Sequence, residues 1–477
     1  WVKKPGTPNF VPPELEILKR DMTLENPLCV LNVMKRHYDR YTPEMVAKVT
    51  GMDPDVMMKI WQVYAGTGKP GKAGALLYAL GQTQHTYGGQ NCRAMSIVQL
   101  LLGNIGVPGG GLNAMRGEPN VQGATDVACT VPDLPGYLKW PTAKKHRHLA
   151  DYLHAETYAD GYYSNKPKFM VSFLKEFFGE NATVENDYGY EMLPKIGPRL
   201  PASAWTTMGT FHMMRDGRIK GYFAWGMNPA HSTPNAKFAR NAMANLDWLV
   251  CADWFPTETA TFWKAPDMDP AKIQTEVYFL PAALIYEKIG SISNSGRWVQ
   301  WRQQGVLPPG EAKSDFEIIE VLFDRIRSLY QKEGGVYPDP ILKANMDYKV
   351  DGKYDLRAVC WAINGYTVQD GKLLPGYAQL QADGSTACGM WIYSGYYNNE
   401  ADKLDPMKQP TARRSKEDPS GMGLFSGWSF AWPANRRVLY NRASCDMKGR
   451  PWNPEKVFVE WKGDKWLQYD VGDFVTA

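Results

Sequence analysis

No two of the seven cysteines (Cys29, Cys92, Cys129, Cys251, Cys360, Cys388 and Cys445) lie closer than 28 residues. There is therefore no CxxC pair and no local zinc or iron–sulfur signature. Seven dispersed thiols read as buried or half-buried side chains. Disulfides across the fold stay open, so cysteine usage assigns no compartment. No apolar run reaches the length that spans a bilayer. Charge is nearly balanced, at +4 over 477 residues, and the RRSKED stretch at 413–418 mixes both signs. Such a chain has no basic stripe for nucleic acid. GxxxxGK[ST] and a strand-linked GxGxxG are both missing, which leaves ordinary ATP or NAD binding with little support. No Ser/His/Asp order, carboxylate pair or zinc motif emerges. The first residue is Trp1 rather than Met, and no charged segment followed by an apolar one comes after it. The chain is therefore expected to be processed, split or truncated, with any targeting signal upstream.

What is present describes a globular protein: 44% hydrophobic and 22% charged residues, at a length that predicts two or three domains. Residues 1–30 are Pro-rich and read as irregular. The stretch 43–66 predicts two helices broken at Gly51, with Asp53 capping the second and Pro54 at its first position. AGALLYAL (73–80) predicts a buried strand, GQTQHTYGGQ (81–90) a polar turn, and 91–104 a helix ending near Gly103. The segment 105–136 is rich in Gly, Pro and Asn, yet carries Ile105, Val107, Leu112, Met115 and Val121. Its length marks it as functional and its apolar residues argue against disorder.

A helix is predicted at 168–178. An alternating series then begins: strand 220–226, turn 227–234, helix 235–246, strand 247–253, a turn running into a helix at 254–263, and strand 276–282. This order predicts an α/β fold with a doubly wound parallel sheet. A long helix is predicted at 314–331, and 336–477 reads as a loop-rich extension with short strands.

Ligands of open parallel sheets bind beyond the carboxyl ends of the strands. Three turns are expected there: 81–88, 226–234 and 253–259. Each carries Gly, Asn, Asp, Gln or Thr. Free N–H groups at helix starts suit phosphates, and Asp or Gln suits a purine edge. The same composition also arises for structural reasons alone. Arg116, in LNAMRGEPNVQG, is a guanidinium in a Gly-rich loop. It suits a carboxylate or phosphate, or else a role stapling the loop. His85 reads as a hydrogen-bonded structural residue. His146, His148 and His154 lie in a charged stretch without a carboxylate at metal spacing, and read as solvated.

At these same residues the sequence resembles the molybdopterin/tungstopterin bis-guanine-dinucleotide oxidoreductases. The resemblance runs through GQTQH (81–85), LLLGNIGVPGGGLNAMRGEPNVQGATD (100–126), WGMNP (225–229), ADWFPTETA (252–260) and YEKIGSISNSGRWVQW (286–301). DGSTACGMWIYSG (383–395) and WPANRRVLYNRASCDMKGRPWNP (432–454) resemble the catalytic (alpha) subunit of respiratory formate dehydrogenases rather than the nitrate or dimethyl-sulfoxide reductase branches.

The resemblance implies that Arg116 orients formate beside the metal and that Gly117 and Glu118 line the pterin. It implies that Gly81, Gln82, Gln84 and His85 lie close to one dinucleotide. Gly226, Met227 and Asn228 would meet a guanosine diphosphate, and Asp253 and Thr257 its guanine and ribose. The implied cofactors are two molybdopterin guanine dinucleotides with Mo or W. The implied activity is reversible oxidation of formate to CO₂.

The implied domains are 1–118, the end of one α/β cofactor-binding domain with its Gly-rich active-site loop; 119–335, a second such domain; and 336–477, the extension. The family's N-terminal four-cysteine [4Fe–4S] site, its Cys or selenocysteine metal ligand and its C-terminal cofactor cap find no match. The chain thus reads as a middle piece with no metal ligand of its own. Expected partners are the remainder of the catalytic subunit, an iron–sulfur beta subunit and a cytochrome subunit, in the periplasm. The Trp-rich stretches in 383–469 are expected to be covered by these partners. Competing readings are another bis-pterin reductase, of nitrate or polysulfide type, and a non-catalytic scaffold relative.

Overall fold

The computed structural model describes residues 21–397 except 70, 106–108, 130–132, 160–161, 198–205 and 296–297, together with 428–430 and parts of 450–468. Expectations for residues 1–20, Val107, RRSKED, Cys445 and most of 398–477, including most of the 432–454 motif, lie outside the described residues. The chain divides into two compact units, residues 1–76 with 87–113 and residues 77–86 with 114–477.

In the first unit, α1 (Val30–Tyr38) precedes α2 (Pro43–Thr50) and α3 (Pro54–Ala65). The break between α2 and α3 is the expected one. Gly51 closes α2 at φ 73°, a conformation that costs a side chain little only when it is hydrogen. The Asp53 carboxylate accepts from the Asp55 and Val56 amides and opens α3 behind Pro54. None of the α1 side chains is fully buried, and Leu31 and Met34 are half-buried on one side of it.

Strand β1 (Ala75–Tyr78) pairs with β2 (Gly111–Ala114) in a two-stranded sheet. It is not the buried strand expected, because a two-stranded sheet covers little of its own surface, and Leu77 is 61% exposed. The 81–90 turn is shorter than expected. Leu80–Thr83 makes a single helical turn, and α4 (Gly88–Leu101) starts at Gly88. A fully buried amide, Gln99, takes the Tyr64 hydroxyl on its oxygen at 2.6 Å and donates to the carbonyls of Gly74 and Gly111.

In the second unit the 105–136 loop contains α5 (Val121–Asp126), so it is more regular than the sequence shows. Helices α6 (Leu149–Glu156), α7 (Lys166–Phe178) and α8 (Thr207–Arg215) follow. The chain then enters a parallel sheet of β3 (Gly221–Trp225), β4 (Trp248–Asp253) and β5 (Glu276–Pro281), in that order, with α9 (Ala236–Met243) between the first two strands. This α/β core is the fold class expected. Ala224, Leu249 and Cys251 on one face pack against Phe211 and Met214 of α8 and Ala239, Ala242 and Met243 of α9. On the other face Phe223, Trp248 and Tyr278 stay accessible. The helix expected at 254–263 is only a 3₁₀ turn, Phe262–Lys264.

Beyond the sheet, β6 (Gly290–Ser293) and β7 (Trp298–Arg302) form an antiparallel pair, which Trp428–Phe430 joins as a third strand. Helix α10 (Asp315–Glu333) opens on Ser314 with Glu317 in a reciprocal capping box. Helix α11 (Leu356–Asn364) stands where only loops and strands were expected. A second core surrounds α7. Trp391 stacks on Phe169 at 4.2 Å, and its indole N–H reaches the Gly136 carbonyl at 2.8 Å. Ile392, Tyr393, Tyr396 and Tyr397 are buried beside it. Within the Trp-rich region, residues 386–397 are therefore packed by this chain itself, whereas Trp461 is exposed.

Candidate functional site

The parallel register aligns Trp225 with Ala252 and Asp253 with Pro281, so the carboxyl ends of β3, β4 and β5 form one edge. Two of the expected turns leave from it. Gly226 donates its N–H to the Ala252 carbonyl at 2.9 Å. It has φ +58°, and the space a Cβ would fill is open. Asn228 clasps the second turn. Its Oδ1 accepts the Thr259 amide at 3.1 Å and hydroxyl at 2.8 Å, and its Nδ2 donates to Glu258 Oε2 at 2.5 Å. The Glu258 carboxyl is held below its usual range by its own backbone N–H and then by Asn228.

Met227, Trp254 and Phe255 are exposed along this edge, with Asp253 and Thr257 half-buried among them. The Asp253 carboxylate takes the Trp254 amide at 2.8 Å. Trp225, in the same WGMNP segment, donates from Nε1 to Asp315 Oδ1 at 2.8 Å and so fixes the edge to the start of α10. Gly226, Met227, Asn228, Asp253 and Thr257 thus form one contiguous surface.

A second cluster lies at the end of β1 and β2. The Met115 N–H donates to the Tyr78 carbonyl at 2.6 Å, so the turn after β1 and the loop after β2 leave the sheet at the same end. Gly81, Gln82, Gln84 and His85 occupy the turn, and all are exposed. The His85 ring is engaged with the Gly81 carbonyl at 2.7 Å, which suits the structural reading of this histidine. Arg116, Gly117 and Glu118 follow β2, also exposed, and among the described residues Arg116 makes no hydrogen bond or ion pair. The 81–88 turn leaves a different sheet from the other two. β1 pairs with β2, and the parallel sheet consists of β3, β4 and β5.

His146 departs from expectation. It is 1% exposed rather than solvated, packed edge-on to Tyr152, with Nε2 3.3 Å from Glu156. Burial lowers its pKa, and the Glu156 charge opposes the shift only in part. Glu156 lies ten residues along the chain, beyond the local spacing a motif search uses. No group of three metal-ligating side chains forms among the described residues. Sequence reasoning also passed over Glu258, Thr259, Asn120 and Ser293. All four lie inside quoted motifs, but the partners of Thr259 and Asn120 are 31 and 173 residues distant, so no local signal marks them.

Residues 18–325 match the family model described as molybdopterin oxidoreductase. The chain is 45% identical over 465 residues to formate dehydrogenase 2 subunit alpha (cytochrome c-553) of Nitratidesulfovibrio vulgaris, covering 95% of this chain and 45% of that protein. It is 43% identical to formate dehydrogenase subunit alpha of Megalodesulfovibrio gigas, with 95% and 46% covered. It is 42% identical to the nitrate-inducible formate dehydrogenase major subunit of Escherichia coli, with 96% and 46% covered. The chain spans about half the length of these relatives. The solved structure of acetylene hydratase from Pelobacter acetylenicus matches 67% of this chain and 39% of its own at 19% identity and a TM-score of 0.36, too low to carry weight. With a family model matched over well more than half its length, this chain belongs to the molybdopterin oxidoreductases.

Proposed function

We propose that the chain is part of the catalytic subunit of a formate dehydrogenase, which oxidises formate to CO₂ at a Mo or W centre. Family membership implies the pterin-bound metal. The finer reading is two pterin guanine dinucleotides, with one guanosine on the edge formed by Gly226, Met227, Asn228, Asp253 and Thr257. The residues fit such a group. Open space over Gly226 admits a diphosphate close to main chain. Exposed Trp254 and Phe255 offer aromatic faces for a purine, and Asp253 offers a carboxylate for its N–H groups. Asn228 has spent its carbonyl oxygen within the protein, so its part is to shape the edge.

When bound, the metal centre supplies the two-electron oxidation. The chain's own part is to hold the substrate. The carrying observation is Arg116: an exposed guanidinium, without a partner among the described residues, on a loop fixed at Met115. It would fork onto the formate carboxylate and keep its charge in place as the C–H bond breaks. Gly81, Gln82, Gln84, His85, Gly117 and Glu118 would flank the second dinucleotide and the pterin. The relatives named as alpha or major subunits support further subunits. An iron–sulfur beta subunit receiving the electrons, an N-terminal [4Fe–4S] cluster, a cytochrome subunit and a periplasmic location belong to the same proposal.

The test is formate-dependent reduction of an artificial one-electron acceptor by the intact enzyme, with Mo and W measured and GMP counted after acid hydrolysis. Turnover with about two GMP per catalytic unit is expected. Metal without formate turnover, or no guanine nucleotide, overturns the proposal.

A further inference from the structure

Arg116 stands in a short span with two fixed ends. At one end the Met115 amide is bound to the Tyr78 carbonyl. At the other, Asn120 Oδ1 accepts the Ser293 amide at 2.9 Å. Asparagine at the start of a helix usually caps it, yet the Asn120 side chain makes no capping bond to α5. Its carbonyl oxygen is directed instead to β6. Gly123 permits this, because a Cβ there would lie 2.3 Å from Asn120 Oδ1 and 3.1 Å from Ser293 Cβ.

Ser293 is itself tied down. Its Oγ lies 2.6 Å from the Tyr393 hydroxyl, which lies 3.1 Å from Asp126 Oδ2. A phenol has one proton, so donation to the carboxylate leaves the serine hydroxyl to donate to the phenol. Asp126 is fully buried and takes Gln122 Nε2 at 2.8 Å and the Tyr137 hydroxyl at 2.7 Å on its other oxygen. Both ends of α5, Asn120 before it and Asp126 at its close, are thereby fastened to the Ser293–Tyr393 pair. A cavity of about 90 Å³ adjoins the contact, lined by Asn120, Gly123, Ser293 and Tyr393 among others. A carboxamide that loses its bond has room to move there.

We infer that Asn120 is a positioning residue, whose latch on Ser293 sets where the Arg116 guanidinium points. The inference rests on the reading of Arg116 as the formate anchor. Only Gly117, Glu118 and Pro119 separate the two residues. Release of the Asn120 carboxamide therefore leaves the distal end of the span held to α5 by main-chain bonds alone, Ala124 N–H to the Asn120 carbonyl at 2.8 Å and Val121 N–H to the Glu118 carbonyl at 3.3 Å, and loosens its tie to β6.

The experiment is a double-mutant cycle in the intact holoenzyme, with Mo, W and pterin content measured for every variant. Asn120→Ala is expected to raise KM for formate and lower kcat/KM about tenfold, the effect of one lost hydrogen bond on substrate alignment. Asn120→Asp keeps an acceptor oxygen for Ser293 and is expected to restore activity to within about threefold of the parent. In an Arg116→Lys background, Asn120→Ala should change kcat/KM by less than about twofold, since its route to the substrate is already gone. Should Asn120→Ala lose its cofactor, Gly123→Ala, which displaces the carboxamide without removing it, takes its place in the cycle. Equal losses in both backgrounds overturn the latch and leave the anchor standing. So does parent-like kinetics in Asn120→Ala. Parent-like kinetics in Arg116→Lys alone overturns the anchor itself.

Discussion

Asn228 Oδ1 accepts two hydrogen bonds from one residue, the Thr259 amide at 3.1 Å and the Thr259 hydroxyl at 2.8 Å. The same hydroxyl accepts the buried Ala230 amide at 3.1 Å. One fully buried oxygen therefore joins the turns after β3 and β4. Thr259→Val keeps the shape, removes that oxygen and leaves the Ala230 donor unmatched. The expected cost is about 1–3 kcal/mol of stability, seen as a lower melting temperature of the cofactor-free protein. Guanine nucleotide retained per polypeptide should fall with it. An unchanged melting temperature would show that water replaces the hydroxyl.

Trp391 and Phe169 bring residues far apart in sequence into one core. Trp391→Ala removes the stacked ring and the bond to the Gly136 carbonyl, with an expected loss of about 3–5 kcal/mol. Gly136→Ala attacks the same contact from the other side. Its Cβ would lie 2.5 Å from Trp391 Cδ1, at a backbone φ of +73° that already favours glycine. Both variants should express poorly or melt early, compared by differential scanning fluorimetry. Normal melting in both would show that 386–397 contributes little to the fold.

The parallel sheet was legible because β3, β4 and β5 carry short apolar runs, and α9 a helical period, between turn residues. The α2–α3 break was legible because Gly51, Asp53 and Pro54 act locally. Trp391 was misjudged because composition cannot say whether an aromatic faces water or Phe169, and that contact spans more than two hundred residues. β1 was misjudged for the complementary reason. AGALLYAL has the pattern of a buried strand, but burial depends on how many strands flank it. Within the candidate site, residue types were legible and their employment was not. Asn228 reads as a ligand-facing amide until Thr259, 31 residues on, is seen to occupy its carbonyl.

Glu176 on α7 predicts a pH dependence. It is 4% exposed, and its Oε2 has no hydrogen-bond partner among the described residues. Burial pushes its carboxyl up from 4.5 to about 7, opposed only in part by the Tyr366 hydroxyl. The folded state thus holds the proton more tightly than the unfolded chain. Its stabilising contribution is complete below pH 4.5 and is lost as pH rises through 7. The span corresponds to about 3 kcal/mol. Glu176→Gln should flatten this part of the stability profile, matching the parent at low pH and exceeding it at pH 8, by urea denaturation. A parent profile with no fall between pH 5 and 8 would show that the carboxyl ionises freely.

Arg116→Lys tests the site most directly. Lysine keeps the positive charge but presents it as a point, without two donors in one plane. Arg116 is exposed and takes no part in either described core, so the substitution should leave folding, metal and pterins intact. What it removes is a charge-assisted, two-point grip on a small carboxylate. Such a grip is worth about 2–4 kcal/mol in the transition state, or roughly two to three decades in kcat/KM. Formate turnover should therefore fall by that much in the intact enzyme, while metal analysis and GMP release match the parent. Retained kcat/KM would place the formate anchor elsewhere. Loss of metal with loss of turnover would show instead that Arg116 serves the cofactor, and that the span between Met115 and Asn120 holds the pterin rather than the substrate.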